Sequence, residues 1–198
     1  MSARLHFLGT SKAVALGLRS EDRASQIVEF ALSVPLLVLF VVGIFDFTGA
    51  LALKHKLANA AREGARVAAA DPANDLSNTS AVPVSVSDAY QVVDNYLLSE
   101  KINDCGLQGT LPTASALTWT SPALTGCQNN TGLVLIINRG CVKQQALNLT
   151  PPVTMTLVGT CVTIVYPYVW QFTSVAGLFS RFTGPTNITT SAIAFNQN

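Results

Sequence analysis

The side chains in this 198-residue sequence that could do chemistry are few and scattered. Its two histidines, His6 and His55, have no nucleophile or second ligand near them in sequence, so no Ser-His-Asp or Cys-His device can be nominated. No glycine-rich phosphate loop, H-E-x-x-H or C-x-x-C pattern is present. The sequence therefore predicts no enzyme, no cofactor and no metal centre.

The cysteines form the clearest chemical set, and all four lie in the second half of the chain: Cys105, Cys127, Cys141 and Cys161. An even number confined to one part of the chain, with no closely spaced pair that would bind zinc, indicates two disulfides in an oxidising compartment. Three connectivities are open. We favour Cys105 with Cys127 and Cys141 with Cys161, because each pair closes a local loop.

One acid, Glu29, is the only charge in the apolar run from Ile27 to Phe45. A helix of this length spans about 28 Å, close to the roughly 30 Å of a bilayer's hydrocarbon, so the run predicts a membrane helix. A buried helix of a soluble protein is the alternative, which the polar flanks and the all-round apolarity disfavour. A carboxylate in hydrocarbon costs about 2.5–3.5 kcal/mol, so Glu29 needs a partner, unless it reaches headgroup water.

Charge says little about partners or orientation. Only 12% of the residues are charged and the net charge is +1, so binding to nucleic acid is not indicated. Basic residues flank the apolar run on both sides, so the positive-inside rule does not decide topology. The cysteines all follow the run, which predicts that the carboxyl-terminal part faces outward.

The helical pattern extends from Ser25 to about Ala70, where Asp71-Pro72 ends it. Its later part carries a stripe of small residues that includes Ala61, Gly64 and Ala65. Small residues allow close approach, and we expect the stripe to serve both the chain's own sheet and neighbouring helices on different faces. Pro35 removes one backbone hydrogen bond from the first part.

The rest of the chain predicts an α+β domain with an antiparallel sheet. Residues 74–83 read as a linker, and Ser87 is the expected cap of a second helix from Asp88 to Ile102. Predicted strands cover residues 133–138, 153–158, 160–166 and 188–195, with Gly159 as a turn or bulge between two of them. Residues 170–182 fit a short amphipathic helix or packed loop, either a lid over the sheet or a contact with membrane or subunit.

The segment that begins at Ala24 and continues as SQIVEF resembles the processing site of type IV prepilins. In those proteins a membrane peptidase cuts after a small residue, and the fifth residue of the mature chain is Glu. The resemblance implies a leader over residues 1–24, cleavage between Ala24 and Ser25, and a structural role for Glu29. The family usually has Gly before the cut, where this chain has Ala24.

Further motifs narrow the resemblance to TadE-like proteins, the pseudopilins of the tight-adherence (Flp) pilus system. They are Pro35, Asp46-Phe47, the block from Ala61 to Arg66, and the late VTIVYPY from Val162 to Tyr168. The resemblance implies a long helix over residues 25–70, with its membrane part at about 27–45, and an extracytoplasmic domain over residues 71–198. It also implies a single-pass protein of the bacterial inner membrane that can enter the extracellular pilus.

The partners that follow from the resemblance are other pilins or pseudopilins, reached through the amino-terminal helix, a prepilin peptidase, the inner-membrane assembly platform and the membrane itself. In a staggered bundle the Glu29 carboxylate of one subunit can meet the Ser25 amine of another, which sets the axial register. A minor pseudopilin is therefore the expected function. The alternatives are a self-polymerising filament subunit and an uncleaved, membrane-anchored extracellular binding domain.

Overall fold

The structure, a computed structural model, describes residues 18–72, 76, 81–122, 125–127, 132–147, 153–170 and 187–197. For residues 18–24, 146, 147 and 153 only the backbone is described. The chain divides into two units at Phe45 and Asp46.

A single helix, α1, runs from Leu18 to Ala70 and supplies residues to both units. It begins seven residues before the predicted start at Ser25, so the end of the predicted leader is helical. Pro35 lies inside the helix and does not end it. At the other end, Asp71 N–H makes the last helical bond to the Val67 carbonyl, and Pro72 has no N–H to continue, as the sequence predicts.

In the first unit, the described side chains of α1 are nearly all exposed. Large apolar groups dominate this surface, and Ile27 and Phe30 are 69% and 70% exposed. The helix is long and apolar enough from Ser25 onward to cross a membrane, and it lies near the amino terminus. The predicted candidate membrane span is therefore present.

The second helix, α2, runs from Val84 to Ser99. The predicted bounds were wrong: the helix begins and ends earlier than Asp88 and Ile102, and Ser87 lies inside it. Pro83 takes the N-cap position with an extended backbone, and its carbonyl accepts bonds from the N–H groups of Val86 and Ser87 at 3.1 and 2.9 Å. Proline's fixed φ favours this entry without any side-chain cap.

The carboxyl end of α2 closes with a paired hydrogen-bond motif. Lys101 has a φ of 57°, and its N–H donates to the Leu98 carbonyl at 3.0 Å. Ile102 N–H donates to the Leu97 carbonyl at 2.9 Å. These two bonds satisfy terminal carbonyls and reverse the chain, so Ile102 cannot belong to the helix as predicted.

Five strands form one antiparallel sheet in chain order. The strands are β1 (Thr113–Ser115), β2 (Thr118–Thr120), β3 (Val134–Leu147), β4 (Val153–Pro167) and β5 (Asn187–Phe195). The antiparallel α+β class is as predicted. The β1–β2 hairpin was not predicted, because each of its strands has only three residues and no usable alternation.

Gly159 does not separate two strands, contrary to expectation. It lies within β4 and pairs with Cys141 on one side and Phe195 on the other. A Cβ at Gly159 would lie 2.6 Å from the Ala194 carbonyl oxygen, so glycine here allows the neighbouring strand to come close. The bulge is instead in β3, where Arg139 and Gly140 lie opposite the single residue Thr160.

The core of the second unit lies where the later part of α1 packs against α2 and β4. Gly64 is at the closest approach, since a Cβ there would lie 2.7 Å from Val93 Cγ2 and 3.8 Å from Val162 Cγ1. Further fully buried side chains come from α1, α2 and the strands β2, β3 and β4, and include Leu57, Ala61, Ala65, Ala89, Leu97, Trp119, Leu135, Ile137 and Ile164.

Two disulfides join the four cysteines. Cys105 is bonded to Cys127, with the Cα atoms 4.6 Å apart, and Cys141 is bonded to Cys161, with the Cα atoms 5.7 Å apart. The second bridge links β3 to β4 beside the bulge. This is the sequential pairing that the sequence favours.

Several predicted features lie outside the described residues. They are most of the leader, most of the 74–83 linker, and the proposed amphipathic helix beyond Trp170.

The close approach at Gly64 gives a first prediction. Gly64→Val should lower the free energy of unfolding of the full chain in detergent by about 1–3 kcal/mol, because the new side chain overlaps Val93. The matched control is Gly43→Val in the exposed segment, where a Cβ meets nothing within 4 Å. Denaturant unfolding measures both. Equal stability of the two variants would contradict the packing at Gly64.

Candidate functional site

The exposed part of α1, residues 25–45, is the first element of the candidate site. Glu29 is exposed on this helix among apolar neighbours. No salt bridge of Glu29 occurs among the described side chains, where the ion pairs are Lys56 with Glu100 and Arg66 with Glu63. Within the first unit, the carboxylate is therefore on exposed helix surface.

The residues of the predicted cleavage site, Ala24 and Ser25, both lie in α1. Ser25 is exposed, whereas the Ala24 side chain is not described. Ser25 and Glu29 are four residues apart on the same helix, which places them on one face with an axial separation of about 6 Å. An amine created at Ser25 would therefore lie close to the level of Glu29 within one chain.

The predicted packing residues fall into two groups. Pro35 lies in the exposed segment, while Ala61, Gly64 and Ala65 are buried against the chain's own domain. The sequence analysis expected the small-residue stripe to reach neighbouring subunits as well. All three are buried within the chain's own domain, and a Cβ at Gly64 would meet Val93 of α2 and Val162 of β4, which agrees with the expected packing on its own domain.

A polar contact fixes the first residue of the second unit to the end of β4. Asp46 is only 6% exposed, and the Tyr168 hydroxyl lies 3.0 Å from its Oδ1 and 3.2 Å from its backbone carbonyl oxygen. The hydroxyl donates to these oxygens, which compensates part of the cost of burying the carboxylate. Burial, then the hydrogen bond to Asp46 and its charge, raises the pKa of Tyr168 to about 12.

Asp46-Phe47 and VTIVYPY are two separate motifs in the sequence, with no predicted contact between them. The structure brings them together across 122 residues of chain. One signal was available: an acid directly after a long apolar run needs a donor, and the tyrosines of the late strand could supply one.

A second polar contact, which the sequence analysis missed, lies at the carboxyl end of α1. Arg139 is 1% exposed, its Nη2 donates to the Asp71 carbonyl at 3.2 Å, and its Nη1 donates to Thr160 Oγ1 at 3.2 Å. Thr160 Oγ1 in turn donates to Asn196 Oδ1 at 2.9 Å. A cation at a helix carboxyl terminus is favoured by the helix dipole, and the β3 bulge turns Arg139 inward to reach it.

The described residues contain no group of three or more His, Cys, Asp or Glu side chains placed to hold a metal ion. The arrangement that most resembles such a group is the pair of acidic residues Asp94 and Asp104. Burial, the charge of Asp104 and a hydrogen bond between the two carboxyl groups raise the pKa of Asp94. Two carboxyl groups alone do not make a metal centre.

The fold and these contacts define the class: an α+β protein whose long amino-terminal helix is a candidate membrane span. A family model described as TadE-like protein matches residues 24–66. The resemblance noted in the sequence is confirmed over this segment, which is consistent with a TadE-like protein of the Tad pilus system. That pilus-associated family is structural rather than catalytic. No curated protein and no solved structure matches the chain significantly.

The Tyr168–Asp46 contact predicts a pH dependence. Because the pKa of Tyr168 is raised from 10.0 to about 12 in the folded chain, the folded state holds this proton more tightly than the unfolded state. Its contribution to stability is complete below pH 10 and is lost as the pH rises towards 12. Tyr168→Phe should lower the free energy of unfolding by about 1.5–3 kcal/mol at neutral pH. The variant should also lose less stability than the wild type as the pH rises from 10 towards 12.

Tyrosinate absorbance and denaturant unfolding of the full chain in detergent measure the two effects. The matched control is Tyr96→Phe, which leaves the Tyr168–Asp46 contact intact and should keep the tyrosinate step near pH 12. Burial also raises the pKa of Tyr90 and Tyr166, so the amplitude of the alkaline step decides the result. An unchanged amplitude near pH 12 in Tyr168→Phe would contradict the raised pKa of Tyr168.

Proposed function

We propose that this chain is a minor pseudopilin that is processed by a prepilin peptidase and takes part in assembling or priming a tight-adherence pilus. The observation that carries the proposal is the position of the family match. It begins at Ala24, the residue before the proposed cut, and covers Glu29 together with the whole apolar run. The matched segment therefore includes the apolar helix with its single acid and ends before α2 and the sheet.

The proposed location is the bacterial inner membrane, with one crossing and the second unit on the outer side. Exposed apolar side chains along residues 27–45 are stable in hydrocarbon and costly in water, which supports the crossing. Two disulfides in the second unit support an oxidising compartment for it. Together these observations support an orientation with Leu18 towards the cytoplasm.

Cleavage after Ala24 would give Glu29 its partner. The new Ser25 amine is cationic at neutral pH, and at about 4 Å with an effective dielectric near 20 its attraction to a carboxylate is about 4 kcal/mol. This is comparable to the cost of placing the carboxylate in hydrocarbon. In a bundle of parallel helices, pairing between subunits would also select one axial register.

The contacts with other pilins are proposed to use residues 25–45. Ala61, Gly64 and Ala65 are occupied by the chain's own domain, so they are not available to a neighbouring helix without unfolding that domain. Glu29 and Pro35, by contrast, lie on exposed helix surface. The prepilin peptidase and the inner-membrane assembly platform would meet the same segment before and during assembly.

Processing can be tested by mass. Intact-mass analysis of the chain purified from its native host should show a polypeptide beginning at Ser25, because residue 24 is small enough for the peptidase subsite. Ala24→Leu should remain full length, while Ala31→Leu, the same change beyond the site, should be cut normally. A full-length wild-type chain would favour the uncleaved, membrane-anchored binding domain.

Glu29→Ala tests the assembly role. The variant should insert into the membrane as well as the wild type, but its recovery in pili or in the assembly complex should fall at least tenfold. The expected pairing energy of about 4 kcal/mol exceeds the 1.4 kcal/mol that corresponds to a factor of ten. Glu63→Ala is the matched control, since Glu63 is satisfied by Arg66 within the chain.

Unchanged incorporation of Glu29→Ala would mean that Glu29 does not set the register and only reaches headgroup water. The stoichiometry of purified filaments addresses the remaining alternative. Traces of this chain support a minor subunit, whereas one copy in every filament position would identify a self-polymerising subunit.

A further inference from the structure

The end of β4 reaches the beginning of the second unit. β4 ends at Pro167, and the next residues, Tyr168 to Trp170, continue beside Asp46. Asp46 directly follows the apolar run that ends at Phe45. The chain therefore brings two aromatic residues from its carboxyl-terminal part to the place where the candidate membrane span ends.

The geometry of these aromatic residues is specific. The rings of Tyr168 and Trp170 are 5.1 Å apart between centroids and meet edge to face at 86°. The Tyr168 hydroxyl is held by Asp46, and Trp170 is only partly buried. Phe47, the next residue of α1, is 57% exposed. The exposed phenylalanine thus lies in the first turn after the apolar run, and the hydrogen bond to Asp46 attaches the aromatic pair to the same turn.

The length of the apolar run sets the level of this cluster in a membrane. A helix from Ile27 to Phe45 spans about 28 Å, so it uses the full thickness of the hydrocarbon, and the residues that follow lie at the headgroups. Trp and Tyr are enriched at that level because each has an apolar ring and a polar N–H or O–H group. Asp46, which would be costly deeper in the bilayer, is compatible with this level.

We propose that Tyr168, Trp170 and Phe47 form an interfacial seat that contacts the lipid headgroup region on the outer side of the membrane. The seat rests on the proposed function in one respect, namely that α1 crosses a membrane. The Tyr168–Asp46 hydrogen bond holds the aromatic pair beside Asp46, the first residue after the apolar run.

The two tryptophans of the chain make the proposal directly testable. Trp119 is fully buried in the core of the second unit, so no lipid can reach it. Trp170 is the only other indole in the sequence. In Trp170→Phe the remaining indole is Trp119, so the emission of this variant is that of the buried internal control. Subtracting it from the wild-type emission gives the emission of Trp170, and the substitution leaves the core unaltered.

The experiment uses the full chain reconstituted into phosphatidylcholine–phosphatidylglycerol vesicles that contain lipids brominated either near the headgroup or deep in the acyl chain. Shallow bromine should quench the Trp170 emission at least twice as strongly as deep bromine. The remaining Trp119 emission in Trp170→Phe should be quenched by neither. Trp119→Phe, where it folds, should give the Trp170 profile on its own.

The other outcomes overturn the seat. Quenching of Trp170 as weak as that of Trp119 would place the indole away from lipid, against the domain or a neighbouring subunit. Stronger quenching by deep bromine would place it inside the hydrocarbon. Washing the vesicles with alkaline carbonate tests whether the chain spans the membrane, which the proposed function requires. A chain that the wash removes from the vesicles does not span the membrane, and both proposals are then wrong. A chain that stays in the vesicles leaves the quenching result to decide on the seat alone.

Discussion

The close packing of the later part of α1 against α2 and β4 is the interaction on which the second unit depends. Its tightest point is Gly64, where even one added carbon would overlap Val93. Alanines on the same face allow the helix to lie against the sheet with its side chains fully buried. The helix could not be replaced by a generic amphipathic one, because larger side chains would force it away from its partners.

Polar contacts hold this part of α1 at both ends. Tyr168 bonds Asp46 at its beginning, and Arg139 bonds the Asp71 carbonyl just beyond its end. Each contact joins the helix to a distant part of the sheet, across 122 and 68 residues of chain. Buried polar groups of this kind add little net energy when satisfied but penalise any shifted arrangement, so they select the position of the helix along the sheet.

The two parts of α1 consequently have different tasks. The residues that follow Asp46 use their small side chains internally, whereas residues 25–45 expose a large apolar surface with one carboxylate. The family match spans both parts but ends at Arg66, before α2 and the sheet. The proposed assembly contacts therefore lie on the exposed part of α1, while the small residues of its later part are used inside the second unit.

Local signals in the sequence were sufficient for α1, its end at Asp71-Pro72, the candidate membrane span, the antiparallel α+β class and the sequential disulfides. These features depend on residues near one another in the chain, or on composition alone. The sequence did not indicate the β1–β2 hairpin, the passage of β4 through Gly159, or the start of α2 at Pro83. Short strands and a proline cap carry weak local signals, and pairing with neighbours decides them.

Tertiary structure alone decided which contacts Gly64, Asp46 and Arg139 make. A stripe of small residues has the same pattern whether it faces another subunit or the chain's own sheet, and only the packed domain shows that it faces α2 and β4. The partners of Asp46 and Arg139 lie far away in the chain, and no period or spacing connects them. Their positions follow from burial, since a charged group inside the domain is stable only where the fold brings a hydrogen-bonding group to it.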